Sequence, residues 1–355
     1  MTNTIFKVLL ILLVSGVGAV RAAERTKRIS KQFNVTSSDR LRIDNTYGKV
    51  HVNTTAQGEI TIEVEITVRN SDADDLDGML DRIEVDIRRD GETIRGRTQI
   101  DNRSNWLKEL FNWSTDNDPQ MEINWTINMP PANALDVENR YGSVYLDDFR
   151  GPLRLDVRYG TLRAERITSE QANVKVAYGA GDVKQMTGGR VDVSYSSFEL
   201  EEGGNLAVET SYSNLQIDQI EALDLDGRYG NVEIDEVSRL TGEVRYSGCK
   251  LGTVREQLAL EVGYCPSFSV RRVAEGFQRI DVESEFSSIR IHFDKPAAGR
   301  FDVAVSYGSF RAPGLDLNYG ERREDNNTFE ARGTFGSQGT ARVNINARYG
   351  DVRLD

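Results

Sequence analysis

Apolar and polar residues alternate along much of this chain with a period of two, the pattern of strands buried on one face. Ile60, Ile62, Val64, Ile66 and Val68 alternate strictly. Residues 72–82 break the alternation and place Leu76, Met79, Leu80 and Ile83 on one face of a short predicted helix. Ile83, Val85 and Ile87 then resume it, and Asp90-Gly91 supplies a hairpin turn into a further strand over 92–98. Residues 101–120 are polar and Asn-rich but carry Trp106, Leu107, Leu110, Phe111 and Trp113, which predicts a loop or short helix tucked against a sheet. Residues 121–129 form another strand, ended by Pro130-Pro131.

From Leu135 the alternation itself repeats. Tyr141, Tyr159, Tyr178, Tyr195, Tyr212, Tyr229, Tyr246 and Tyr264 recur at intervals of 17 to 19 residues, Phe286 and Tyr307 extend the series at 22 and 21, and Tyr349 closes it. Relative to each anchor, apolar residues recur at −6, −4 and −2 and again at +3, +5 and +8, as in Leu153, Leu155 and Val157 before Tyr159. Even positions before the anchor and odd positions after it cannot share one face of a straight strand. Gly, or a small residue such as Ser196, Ser213, Ser247 or Cys265, follows each anchor, so the bend that flips the parity is expected at +1. A unit of this size cannot bury its apolar side alone, so the units must stack.

The predicted fold is therefore all-β: a single-stranded β-solenoid (β-helix) with short turns and about 17–22 residues per coil. An earlier copy of the repeat surrounds Tyr47, from Leu41 to Val52. The expected organisation is an N-terminal β-rich cap segment over 26–131 holding that one detached repeat, followed by solenoid repeats over 132–355. The cap has a physical purpose, because an open solenoid edge templates aggregation.

Residues 1–22 read as a signal peptide: Lys7 is the positive end, residues 8–14 are uninterruptedly apolar, and Val20 and Ala22 are small residues placed for cleavage after Ala22. That apolar run is too short to span a bilayer. The expectation is an exported protein, periplasmic or at the extracellular cell surface, that does not span the membrane after cleavage. The formal charge is −12, which excludes a nucleic-acid binder that works by clustered Lys and Arg. Two Cys and two His exclude a disulfide framework and a His-rich metal centre.

The residues N-T-Y-G-K-V-H-V at 45–52, I-N-M-P-P at 127–131 and the recurrent R-Y-G-x-V/L resemble the bacterial putative adhesin family, a group of exported β-solenoid proteins. The resemblance implies the fold, while its motifs are structural rather than chemical and say hardly anything of activity. It brings no catalytic residue and no cofactor.

Candidate chemistry is then a matter of columns. By parity the tyrosine column continues the inward set, so its rings are expected in core or corner packing. Position −3 faces solvent and is acidic at Glu138, Asp156, Asp192, Glu209, Asp226, Glu243, Glu261 and Glu283. Stacked like charges repel, and either the Arg residues at −1 offset them or the column is a ligand face for divalent cations or a cationic polymer. Cys249 and Cys265 lie in adjacent coils of an exported protein, which favours a disulfide. Their offset by two positions works against it, so both the bonded and the free pair fit the sequence. No catalytic or metal-ligating motif stands out, and no cofactor is implied. Three functions fit: an adhesin-like binding or scaffold protein for an envelope glycan, cell-wall polymer or protein; a carbohydrate-active β-helix enzyme, either polysaccharide lyase or hydrolase; and a passive envelope-stress structural component.

Overall fold

The structure is a computed structural model that describes residues 23–70, 76–101, 121–295, 297–337 and 339–355. The predicted signal peptide lies outside the described residues, as do 102–120 and the start of the predicted helix. The chain folds as two compact units, Met1–Gly179 and Ala180–Asp355. Both are β-solenoid.

In the first unit the strands Ala134–Arg140 and Leu153–Arg158 lie parallel and in register, Leu135 beside Leu153 and Val137 beside Leu155. Ala172–Ala177 follows on the other side of Leu153–Arg158, so each coil rests on the one before. The detached repeat does not stand apart in space. Its strands Arg40–Thr46 and Val50–Thr54 stack in register on Ala134–Arg140 and Val144–Leu146, with Ile43 beside Val137 and Val50 beside Val144. On its far side lie Thr93–Ile100 and Met121–Met129, also parallel.

Antiparallel strands then take over. Ile83–Asp90 returns along Thr93–Ile100 through a turn in which Gly91 holds a left-handed φ of 60°. Glu59–Asn70 runs antiparallel to Met121–Met129, and Ala23–Asn34 antiparallel to Glu59–Asn70. The strictly alternating Ile60, Ile62, Val64, Ile66 and Val68 are all buried. Of the predicted helix, Leu76–Asp81 is helical and buries Leu76 and Met79.

The core of this unit holds a polar knot. Asn45 and Asn139 occupy the inward −2 position and are fully buried. The Asn45 amide donates to Asn139 Oδ1 at 3.0 Å, while Trp125 Nε1 and Thr98 Oγ1 donate to Asn45 Oδ1 at 3.0 and 2.8 Å. Asn139 in turn donates to the carbonyl of Gly48 at 3.1 Å. Each amide thus closes polar groups that would otherwise be buried without partners.

In the second unit the repeat is at its most regular. Ala180–Ser194, Ser197–Ser211, Asn214–Arg228, Asn231–Arg245 and Gly248–Gly263 stack in parallel register, joined by two-residue corners such as Tyr212-Ser213. Inward residues recur in three groups along each coil, as in Leu215 and Ile217, then Ile220, then Leu223 and Leu225. Two outward residues in succession, Asp218-Gln219 and Glu221-Ala222, mark the other corners, which makes each coil three-sided.

The last coils depart from sequence order. Ala341–Arg348 lies between Arg279–Glu285 and Gly299–Ser306, parallel to both. Val352–Leu354 likewise sits beside Ile289–Phe293, and Val352 and Arg353 sit beside Phe310 and Arg311. The C-terminal coil is inserted, so the anchor order in space is Tyr264, Phe286, Tyr349, Tyr307, which corrects the expectation that Tyr349 closes the column. Thr328–Phe335 and Leu317–Glu324 then add antiparallel strands to Gly299–Ser306. Residues 318–324 of the last strand are exposed and include Glu321, Arg322, Arg323 and Glu324, a charged edge that discourages further pairing.

Close coil stacking explains several glycines after the anchors. A Cβ on Gly160 would lie 2.0 Å from the carbonyl oxygen of Gly142 in the adjacent coil. The variant Gly160→Ala is expected to lower stability by about 1–3 kcal/mol in thermal melting. For Gly227→Ala, where the nearest heavy atom is 3.4 Å away, little change is expected.

Candidate functional site

The bend at each corner is carried by the aromatic anchor itself. Tyr47, Tyr141, Tyr159, Tyr178, Tyr195, Tyr212, Tyr229, Tyr246, Tyr264, Phe286, Tyr307 and Tyr349 all hold left-handed φ values between 51° and 63°. This corrects two expectations. The bend is not at +1, and the rings do not point inward. The left-handed residue absorbs the parity flip, so −2 is the last inward position and the ring turns out to solvent. From Tyr141 to Tyr349 the anchors are 43–56% exposed.

A left-handed φ costs a non-glycine residue roughly 1–2 kcal/mol. Stacking offsets it. In the first unit Tyr47, Tyr141, Tyr159 and Tyr178 form a ladder with ring centroids 4.9–5.1 Å apart. In the second unit Tyr195, Tyr212, Tyr229, Tyr246, Tyr264, Phe286, Tyr349 and Tyr307 do the same at 4.6–5.0 Å. Each aromatic pair is worth about 0.5–1.5 kcal/mol beyond its buried area, comparable with the strain. Burial, with the stacked Tyr141 phenol adding to it, pushes the Tyr47 phenol above its ordinary range. Serines at +1 lock the corner further: Ser213 Oγ donates to the Ser211 carbonyl at 2.8 Å and accepts the Ser196 N–H of the adjacent coil at 3.1 Å.

Because the rings cover one another, each ladder offers solvent a row of ring edges and phenol hydroxyls. A sugar cannot stack on the faces between neighbours.

The acidic positions form ladders as well. In the first unit Asp44, Glu138 and Asp156 are in register. In the second, Asp192, Glu209, Asp226, Glu243, Glu261 and Glu283 follow one another coil by coil. Arginines at −1 clamp parts of both. Arg140 pairs with Glu138, and Arg158 with the buried Asp156 at 2.9 Å. Arg228 bridges Asp226 at 3.0 Å and Glu243 at 3.5 Å, and Arg245 bridges Glu243 at 2.7 Å and Glu261 at 3.5 Å. Arg190, at −5, reaches Glu209 at 2.9 Å. Among the described residues no three His, Cys, Asp or Glu side chains converge to hold a metal ion.

Cys249 and Cys265 are two buried free thiols. Cys249 lies in register with Val232 and Phe268 rather than with Cys265. Burial pushes both thiols above their ordinary range, which keeps them protonated and unreactive.

On the other side of the corner lies a face that sequence reasoning missed. Position +2 holds Ser197, Asn214, Asn231 and Gly248 in successive coils, and position +4 holds Glu199, Gln216, Glu233 and Lys250. These residues line an open trough in the second unit. Asn231 Nδ2 donates to Asn214 Oδ1 at 2.9 Å. The recurrence of Ser197, Asn214 and Asn231 two places after successive tyrosines was the available signal.

No family model matches the chain, and no curated protein matches it. Several solved structures are similar to it. A putative cell adhesion protein from Clostridium sporogenes shares 11% identity over 93% of this chain and 99% of its own, with a TM-score of 0.20. A putative adhesin from Bacteroides fragilis shares 11% over 93% and 97%, with a TM-score of 0.26. A putative lipid binding protein from Parabacteroides distasonis shares 10% over 92% and 96%, with a TM-score of 0.28. At such scores these likenesses carry no argument about ligand or activity.

Proposed function

We propose that this chain is a non-catalytic, exported binding protein of the cell envelope or cell surface, adhesin-like in that a regular solenoid surface engages an envelope ligand. The carrying observation is the exposed aromatic ladder. A left-handed corner is easier for Gly, Asn or Asp, yet Tyr stands at nearly every one. Stacking balances its strain but does not by itself favour Tyr over a relaxed Asn. What the tyrosines add is a continuous row of aromatic edges and hydroxyls on the outside of each unit, and contiguous exposed aromatic surface marks an interaction site.

The coils over 180–263 also support a binding rather than a catalytic role. Their Tyr corners are two residues long, with no loop to wall a substrate cleft, and much of the acidic ladder is held by arginine.

The test is co-sedimentation of the purified protein with isolated bacterial envelopes and insoluble cell-wall polymer. Saturable retention in the pellet is expected, with no release of reducing sugar. A protein that stays in the supernatant with every preparation overturns the reading, and sugar release would replace it with the carbohydrate-active enzyme.

A further inference from the structure

We infer that the trough on the second unit is a binding site for an extended, neutral polysaccharide lying along the stacking direction. This rests on the binding reading above and names its ligand class.

The trough floor offers Ser197, Asn214 and Asn231, with Glu199, Gln216 and Glu233 beside them. A hydroxyl or amide both donates and accepts, and a carboxylate accepts, which matches the mixed capacity of sugar hydroxyls. Asn214 and Asn231 are exposed and use one donor and one acceptor on each other. That bond leaves the Asn214 NH2 group and the Asn231 amide oxygen unused, and the oxygen points along the stack over Gly248 of the next coil, 2.8 Å from where a Cβ there would lie. The same positions return in each coil at the strand spacing of about 4.8 Å. Only a ligand that repeats at a similar interval can engage successive coils alike, and an extended polysaccharide has a residue rise of that order. The aromatic edges of Tyr195, Tyr212 and Tyr229, two residues before the trough positions, flank its length.

Other polymers fit less well. Glu199 and Glu233 outnumber Lys250 and leave the trough net negative, which repels the phosphates of a nucleic acid. A protein partner would want an apolar centre depleted of charge, and the positions lining the trough carry amide, hydroxyl and carboxylate groups and the Lys250 ammonium. A polycation would favour the acidic ladder on the other side of the corner.

Native gels cast with hydroxyethyl cellulose, glycol chitin or polygalacturonate test the assignment on the full chain. At least one neutral polymer should retard the protein and polygalacturonate should not. Asn214→Ala with Asn231→Ala should weaken that retardation about tenfold, in line with two lost hydrogen bonds. Asn231→Trp, which fills the trough without touching the core, should abolish it, while Asp226→Asn with Glu243→Gln on the acidic ladder should leave it unchanged. Retardation by no neutral polymer, retardation indifferent to the trough variants, or stronger retardation by the polyanion overturns the assignment. If envelopes still retain the protein in those cases, the trough falls and the binding reading stands. If they do not, both fall.

Discussion

Deleting residues 341–355 is expected to unfold coils that precede them by up to about sixty residues. The C-terminal strand Ala341–Arg348 is a central layer, with Ile345 beside Val282 on one side and Val303 on the other. Val343, Ile345, Val352 and Leu354 are at most 2% exposed, and burying such side chains contributes about 1.5–3 kcal/mol each. Their sum is comparable with the whole stability of an ordinary domain, about 5–15 kcal/mol. The deletion also takes Tyr349 out of the ladder, where it stacks on Phe286 at 4.6 Å and on Tyr307 at 4.9 Å. Amide hydrogen exchange should therefore show protection lost in both 279–293 and 299–311. A coil added at the end in sequence order would leave 279–293 protected, and that result would refute the inserted topology.

The second large effect concerns Asn45→Leu in the first unit. The substitution keeps the branched shape, with two somewhat larger methyls, but leaves Trp125 Nε1, Thr98 Oγ1 and Asn139 Oδ1 without the partner they share. A buried group left unsatisfied costs about 1–3 kcal/mol, so a loss of roughly 3 kcal/mol or more is expected in urea unfolding. Transfer of Leu into the core offsets part of that, yet all three orphaned groups are deeply placed. A variant as stable as the parent would show that the knot is incidental to folding.

The period, the inward positions and the stacking of coils were legible because burial repeats its demand at every turn. Leu206 and Leu223 before successive tyrosines, and Leu215 and Val232 after them, occupy equivalent inward places in adjacent coils. The direction of the tyrosine rings was not legible. Alternation assumes extended backbone, and a single left-handed residue reverses it without any change in composition. The insertion of the last coil left no local trace either, since pairing between Ala341–Arg348 and Arg279–Glu285 is a long-range event. The knot around Asn45 and Asn139 was not legible either, because Asn45 finds Thr98, Trp125 and Asn139 far along the chain and Asn139 finds the Gly48 carbonyl. Of the candidate site, the acidic ladders were visible as a column at −3. Their arginine clamps across coils required the register, as in Arg245 reaching Glu261.

The measurement that bears most directly on the exposed ladder as a binding surface is retention on isolated envelopes of a variant carrying Tyr195→Asn, Tyr212→Asn, Tyr229→Asn and Tyr246→Asn. Asn accepts the left-handed corner, so the variant should keep its β circular-dichroism spectrum and fold. Retention is predicted to fall about tenfold or more relative to the parent, at the least the equivalent of 1.4 kcal/mol. A folded variant retained as well as the parent would contradict the proposal that the tyrosine face meets the ligand.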